Sequence, residues 1–308
     1  MKKNSLLVTF KSICLLFTSL VLLLGCNTVS TLESSSKSTK ESSSNSTTVN
    51  SETINKSLTI TKQSAADSKY QLTEKLHQQL LDDMVWIEAG SFAMGSDTPE
   101  ARNRERPAHQ VTLDGFYLSK FELTQDVFLQ IMGWNNSFFQ CAKCPLNNVS
   151  YFNMQLFIER LNMATGKKFR LPTEAEWEFA AKGGIHSKNY RFSGSDNITD
   201  VAWFHENSNR KAHPVGLKKQ NELGLYDMTG NVWEFCQDDM YRNAYKRGEV
   251  INPVINDTKR NPKSKAMKVL RGGGYDFSAK ESLVFIRDGA TNNVRMADIG
   301  FRLAMSKQ

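Results

Sequence analysis

Cysteine is sparse in this chain and stops early. Five of its 308 residues are cysteine, at positions 14, 26, 141, 144 and 236, and none follows Cys236. That scarcity excludes a small disulfide-framed scaffold, and a chain of this length has no need of one. Histidine is equally thin. The five (77, 109, 186, 205 and 213) are scattered, with no metal-pair spacing. No Lys-Ser/Thr follows the triplet Gly272-Gly273-Gly274 and no dinucleotide spacing surrounds it, so a phosphate cradle is excluded. The formal charge is +7, but Lys2, Lys3 and Lys11 supply three of it and residues 27–80 one net. The +3 left on residues 81–308 excludes a nucleic-acid surface.

What is present begins with a targeting pattern. Lys2 and Lys3 open an apolar run that ends in Leu23-Leu24-Gly25-Cys26. The run is short for a membrane span. A small residue before a cysteine at its end is the lipoprotein-box pattern. The reading is a signal peptide over residues 1–25 and lipidation at Cys26. Acyl chains there anchor the protein to a lipid bilayer by burying methylenes at about 0.8 kcal/mol each. Asn27 is not the Asp of the common inner-membrane retention signal, so the expected address is the bacterial cell envelope, at the outer membrane or cell surface. Disulfides are permitted there. Cys141, Cys144 and Cys236 are then the remaining thiols, an odd number.

Residues 26–80 read as a flexible linker rich in Ser, Thr and Lys. Within it, residues 69–82 carry Leu72, Leu76 and Leu80 at helical spacing. Residues 81–308 read as one domain. Val85–Ile87, Ser91–Gly95, His109–Leu113 and Gly115–Leu118 have extended patterns. Thr124 opens a helix to about Met132, and Ser150 opens another over Tyr151–Thr165, closed by Gly166. Thr173 and Glu176 form a capping box for a helix through Ala181. Glu174, Glu176 and Glu178 at that start are expected to serve the helix dipole and internal ion pairs. Beyond Gly184 the chain is loop-like, rich in Gly, Asn and Asp.

Five stretches then carry a resemblance: Met84–Ser96 (MVWIEAGSFAMGS), Phe116–Thr124 (FYLSKFELT), Phe169–Ala181 (FRLPTEAEWEFAA), Gly224–Phe235 (GLYDMTGNVWEF), and Val269–Gly274 (VLRGGG) with Gly300–Leu303. In this order they resemble the formylglycine-generating enzyme (sulfatase-modifying factor) family. The resemblance implies an α+β fold of the elaborated C-type-lectin kind, with small mixed sheets, two to three helices and many irregular loops. In that family GLYDMTGNVWE makes a calcium site, which maps onto the side chains of Asp227 and Glu234 and the carbonyls of Gly230 and Val232. The residues agree in type, since Ca²⁺ takes hard oxygen donors and backbone carbonyls. The family's oxidase chemistry uses two thiols that hold copper(I). Here Ala279 and Val284 stand where those thiols belong, so copper is not expected and formylglycine formation is disfavoured.

Cys141-Ala142-Lys143-Cys144 admits four readings: a disulfide, half a zinc site, a redox motif or two free thiols. No second CxxC or paired His lies nearby, and a local disulfide pinning a loop is the expectation. The C-terminal segment holds Tyr275, Phe277, Phe285, Arg287, Asn292, Asn293 and Arg295, residue types that make binding hot spots. Some lipoproteins of this fold are diversified in that segment by retroelements that mutate adenines. Lys280, Glu281 and Met296 are not reachable from the AAC codon of that scheme. The functional expectation is a non-catalytic, membrane-anchored module that binds a protein or glycan through these loops. The alternatives are an oxidoreductase with altered chemistry on the same scaffold and a structural partner of an envelope or secretion system.

Overall fold

The computed structural model describes residues 72–241, 243–245, 248, 250–256 and 267–307. The expected signal peptide, the expected lipidation site Cys26 and the expected linker as far as residue 71 lie outside the described residues. All described residues fall within one compact unit, Ile54–Gln308.

The first helix, α1 (Glu74–Asp82), starts at Thr73, whose hydroxyl accepts from the Leu76 amide. Its apolar residues Leu76 and Leu80 are buried in the main core. Residues 72–80 therefore belong to the folded body, and the linker ends earlier than residue 80. The helical spacing of those leucines is the physical reason.

Strands β1 (Met84–Ile87), β2 (Gly90–Met94), β3 (His109–Leu113) and β4 (Phe116–Ser119) follow. The helices α2 (Gln125–Met132) and α3 (Tyr151–Thr165) come next, and Gly166 closes α3 at φ +66°. Ser150 and Asn153 cap each other at the start of α3. Thr124 precedes α2 but its side chain makes no cap. The first amides of α2, on Gln125 and Asp126, go instead to the carbonyls of Cys144 and Ala142. After β5 (Phe169–Arg170), the Thr173–Glu176 box starts α4 (Glu174–Ala181), and a single-turn α5 (Ile198–Val201) follows. Within residues 81–308 the described helices of two turns or more are α2, α3 and α4, and α1 is the helix expected over residues 69–82.

The chain then gives β6 (Trp233–Asp239), β7 (Val250–Ile251), β8 (Met267–Arg271), β9 (Arg287–Thr291), β10 (Ile299–Gly300) and β11 (Ala304–Ser306). These form three small sheets, ordered β1-β4-β11-β5, β10-β6-β8-β9 and β2-β3-β7. β6 is buried at nearly every position, so it lacks the alternation that marks a strand in sequence. Phe128, Phe157, Leu161, Phe235 and Phe301 build one core cluster. Ile87, Phe116, Leu118, Trp177 and Phe179 build a second.

Candidate functional site

Two buried ion networks fix the loops. The first surrounds the turn before β6. Asp227, Gly230 and Asn231 all take positive φ (+55°, +77° and +57°). A Cβ at Gly230 would lie 2.3 Å from the Trp203 carbonyl oxygen, so only glycine fits there. Asn231 donates to Glu122 Oε2 (2.6 Å), and the Val232 amide donates to Glu122 Oε1 (3.1 Å). Both Glu234 oxygens accept from Arg302, at 2.6 and 2.7 Å, and Oε2 also accepts from the Trp177 indole at 2.8 Å. Asp227 Oδ2 accepts from the Gly216 amide at 2.7 Å. Its Oδ1 is buried and has no hydrogen-bond partner.

Three buried carboxylates, Glu122, Asp227 and Glu234, thus act on one guanidinium. Burial pushes the Asp227 carboxyl up to about 6, and Glu234 adds to the rise. Glu122 lies well above the usual carboxylate range, first through burial and then through Asp227 and Glu234. Sequence reasoning missed Glu122 and Arg302 as members of this group. Nothing in FELT or GFRL marks which charges are internal.

The donor set can be weighed against a calcium ion. The orphaned Asp227 oxygen fits one, since an unpaired buried acceptor lacks its positive partner. Glu234 is already neutralised by Arg302 and would have to share its carboxylate. Among the described residues no group of three His, Cys, Asp or Glu side chains is arranged as a metal site, so backbone carbonyls would complete the set.

The second network sits at the start of α4. Glu174 accepts from Arg271 Nε (2.9 Å), from Arg287 Nε and Nη2 (both 2.6 Å) and from the Tyr245 hydroxyl (3.1 Å). Glu178 pairs with Arg271 and with Lys182, and Glu176 pairs with Arg170. The three glutamates are internal ion-pair members, as their place on a capped helix implies.

This network corrects the ligand-binding set. Arg287 is 0% exposed and is consumed by Glu174, so it cannot touch a ligand. Tyr275 is also buried, in a small cluster with Ala212 and Val232. Phe277 and Phe285 are half-buried and pack against the main core, Phe277 edge-on to Trp233. Asn292 is half-buried, and its Oδ1 lacks a partner. Asn293 and Arg295 are exposed beside Met296. This stretch is tied to the loop before α3, since Asn148 donates to the Met296 carbonyl and Tyr151 to that of Asn292. Ala279 is half-buried and Val284 buried, both apolar and packed.

Cys141 and Cys144 form a disulfide. Cys236 is a free thiol buried in β6, and burial pushes its pKa well up, which keeps it protonated.

The model of the sulfatase-modifying factor enzyme 1-like domain family matches residues 69–307, most of the chain. The chain belongs to that family. Its relatives span several activities. The chain is 31% identical over 205 residues to the chaperone protein LppX of Paenibacillus barcinonensis, covering 50% of this chain and 71% of that protein. It is 27% identical to the inactive C-alpha-formylglycine-generating enzyme 2 of Bos taurus, over 72% of this chain and 87% of the relative. It is 30% identical to the serine/threonine-protein kinase Pkn1 of Chlamydia trachomatis over 67% of its own length, but spans only 35% of that kinase. Among solved structures, Treponema denticola variable protein 1 superposes with a TM-score of 0.64 at 28% identity, over 73% of this chain and 95% of that one. The sulfatase-modifying factor domain here therefore has the elaborated C-type-lectin-like fold that the sequence motifs implied.

Proposed function

We propose that this protein is a lipid-anchored, non-catalytic binding module of the bacterial envelope, presenting its sulfatase-modifying factor domain to a protein or glycan. The observation that carries the reading is the replacement of the oxidase thiols by packed, apolar Ala279 and Val284. Neither side chain can hold copper, and the remaining free thiol, Cys236, is buried in another strand. An inactive relative in the same family supports it. The binding surface is the exposed part of the C-terminal segment, Asn293 and Arg295, with the edges of Phe277, Phe285 and Asn292. Anchoring rests on the box around Cys26. A calcium ion would be held at the Gly230 turn by Asp227 and the carbonyls of Gly230 and Val232, with Glu234 sharing its carboxylate between the ion and Arg302, and it would be structural, supplying the positive charge that the orphaned Asp227 oxygen lacks.

The test has two arms. Purified protein supplied with copper and a cysteine-containing sulfatase peptide should show no oxygen uptake above background, and copper-dependent turnover would end the non-catalytic reading. On a glycan array, Asn293→Ala with Arg295→Ala should weaken binding at least tenfold without lowering Tm. Unchanged binding would move the site elsewhere.

The chaperone name of one relative supports a second reading, a partner of exported polypeptides. The observation that favours it is an exposed aromatic pair, Phe138 and Phe139, on the loop between α2 and α3.

A further inference from the structure

We propose that Cys141–Cys144 is an exchangeable disulfide that takes two electrons from an extended, cysteine-bearing polypeptide docked on Phe138 and Phe139. The site is separate from the C-terminal loops, so it stands or falls apart from the binding reading above.

Four observations carry it. The two sulfurs differ in access, since Cys141 is half-buried while Cys144 is buried. An incoming thiolate therefore meets Cys141, and Cys144 is the leaving group. The loop is also held without the S–S bond. The carbonyls of Cys144, Ala142 and Lys143 each accept a backbone amide at 3.0 Å, from Gln125, Asp126 and Val215. The buried Gln125 side chain accepts from the Cys141 amide and donates to the carbonyls of Phe139 and Pro145. Opening the disulfide leaves these bonds in place, so oxidised and reduced forms share one fold.

The leaving group has somewhere to go. Cys144 Sγ lies 3.9 Å from the Ala212 carbonyl oxygen, which can accept from the thiol once it is reduced. Finally, Phe138 and Phe139 are 65% and 45% exposed, with ring centroids 4.9 Å apart, three and two residues before Cys141. Such a pair anchors an apolar stretch of polypeptide and offers nothing to a small hydrophilic thiol.

The electron count closes. A substrate thiolate attacks Cys141 Sγ, the S–S bond breaks, and Cys144 leaves as a thiolate that takes up a proton. A second substrate thiolate then attacks its own mixed-disulfide sulfur, and Cys141 leaves likewise. The substrate dithiol becomes a disulfide, and Cys141 and Cys144 become thiols. An external disulfide compound restores them.

The experiment uses the full chain and a synthetic peptide bearing two cysteines flanked by leucines. Mass spectrometry should show the Cys141–Cys144 bond reduced as the peptide is oxidised one for one, with Tm retained, and glutathione disulfide should restore it. The Cys144→Ser variant should trap a mixed disulfide with oxidised peptide at least tenfold faster than Cys141→Ser. Replacing Phe138 and Phe139 by Ser should slow the peptide reaction at least fivefold while leaving the glutathione reaction unchanged. A disulfide that resists the peptide until the fold melts overturns the proposal, with no variant required. Equal trapping by the two Ser variants, or loss of both reactions on removing the phenylalanines, overturns it as well.

Discussion

Asp227 concentrates the conflict within the first network. It is a buried carboxylate with one oxygen unsatisfied, on a backbone at positive φ. Its folded pKa of about 6 stands above the value of about 3.9 for an unfolded chain. The folded state therefore holds the extra proton between those values, and stability falls as pH rises from about 4 through 6, then levels off. The shift of about two units bounds the loss near 3 kcal/mol. Urea unfolding in EDTA should show Asp227→Asn more stable than the parent at pH 7.5 and equal to it near pH 4. Calcium at a hundredfold excess over Kd should raise the parent by about 2.7 kcal/mol and the variant by less. A parent indifferent to both pH and calcium would remove the cation from the Gly230 turn.

The helices show where local rules sufficed. Ser150, Thr173 and Gly166 sit where capping chemistry places them, so α3 and α4 were legible to within a residue. α2 was legible in extent but not in its cap, because the groups that satisfy its first amides come from residues 142 and 144, beyond any local window. β6 escaped because burial on both faces erases alternation; Glu234 was read as a calcium ligand, and its buried neighbours Asp238 and Asp239 drew no reading. α1 provides the test at this scale. Leu76→Ala should destabilise the domain by about 2–4 kcal/mol in chemical denaturation, the range for emptying a buried leucine site. A loss under about 0.5 kcal/mol would make α1 part of the linker after all.

At the scale of the whole molecule, family motifs disclosed the fold, and the site was disclosed only in part. Motif positions report which backbone turns recur, and Gly230 and Asp227 are turn positions. They do not report which arginine faces which glutamate. Arg287 read as a hot-spot residue because its type suits interfaces, yet Glu174, 113 residues away in sequence, claims it. Pairings at that range follow from packing and leave no periodic trace. The CxxC disulfide was the expected one of four readings, while the backbone bonds that also hold its loop were not legible.

The place of β11 reaches into how the protein is made. Ala304–Ser306 lies between β4 and β5, and Arg302 just before it is the counterion of Glu234. The first large sheet cannot close until the last few residues are available. β5 has β11 as its strand partner, so in a chain still being synthesised β5 stays unpaired until residues 304–306 have been made. Completion of this sheet is thereby deferred to the end of synthesis, and a chain truncated before Ala304 would leave β5 without its strand partner.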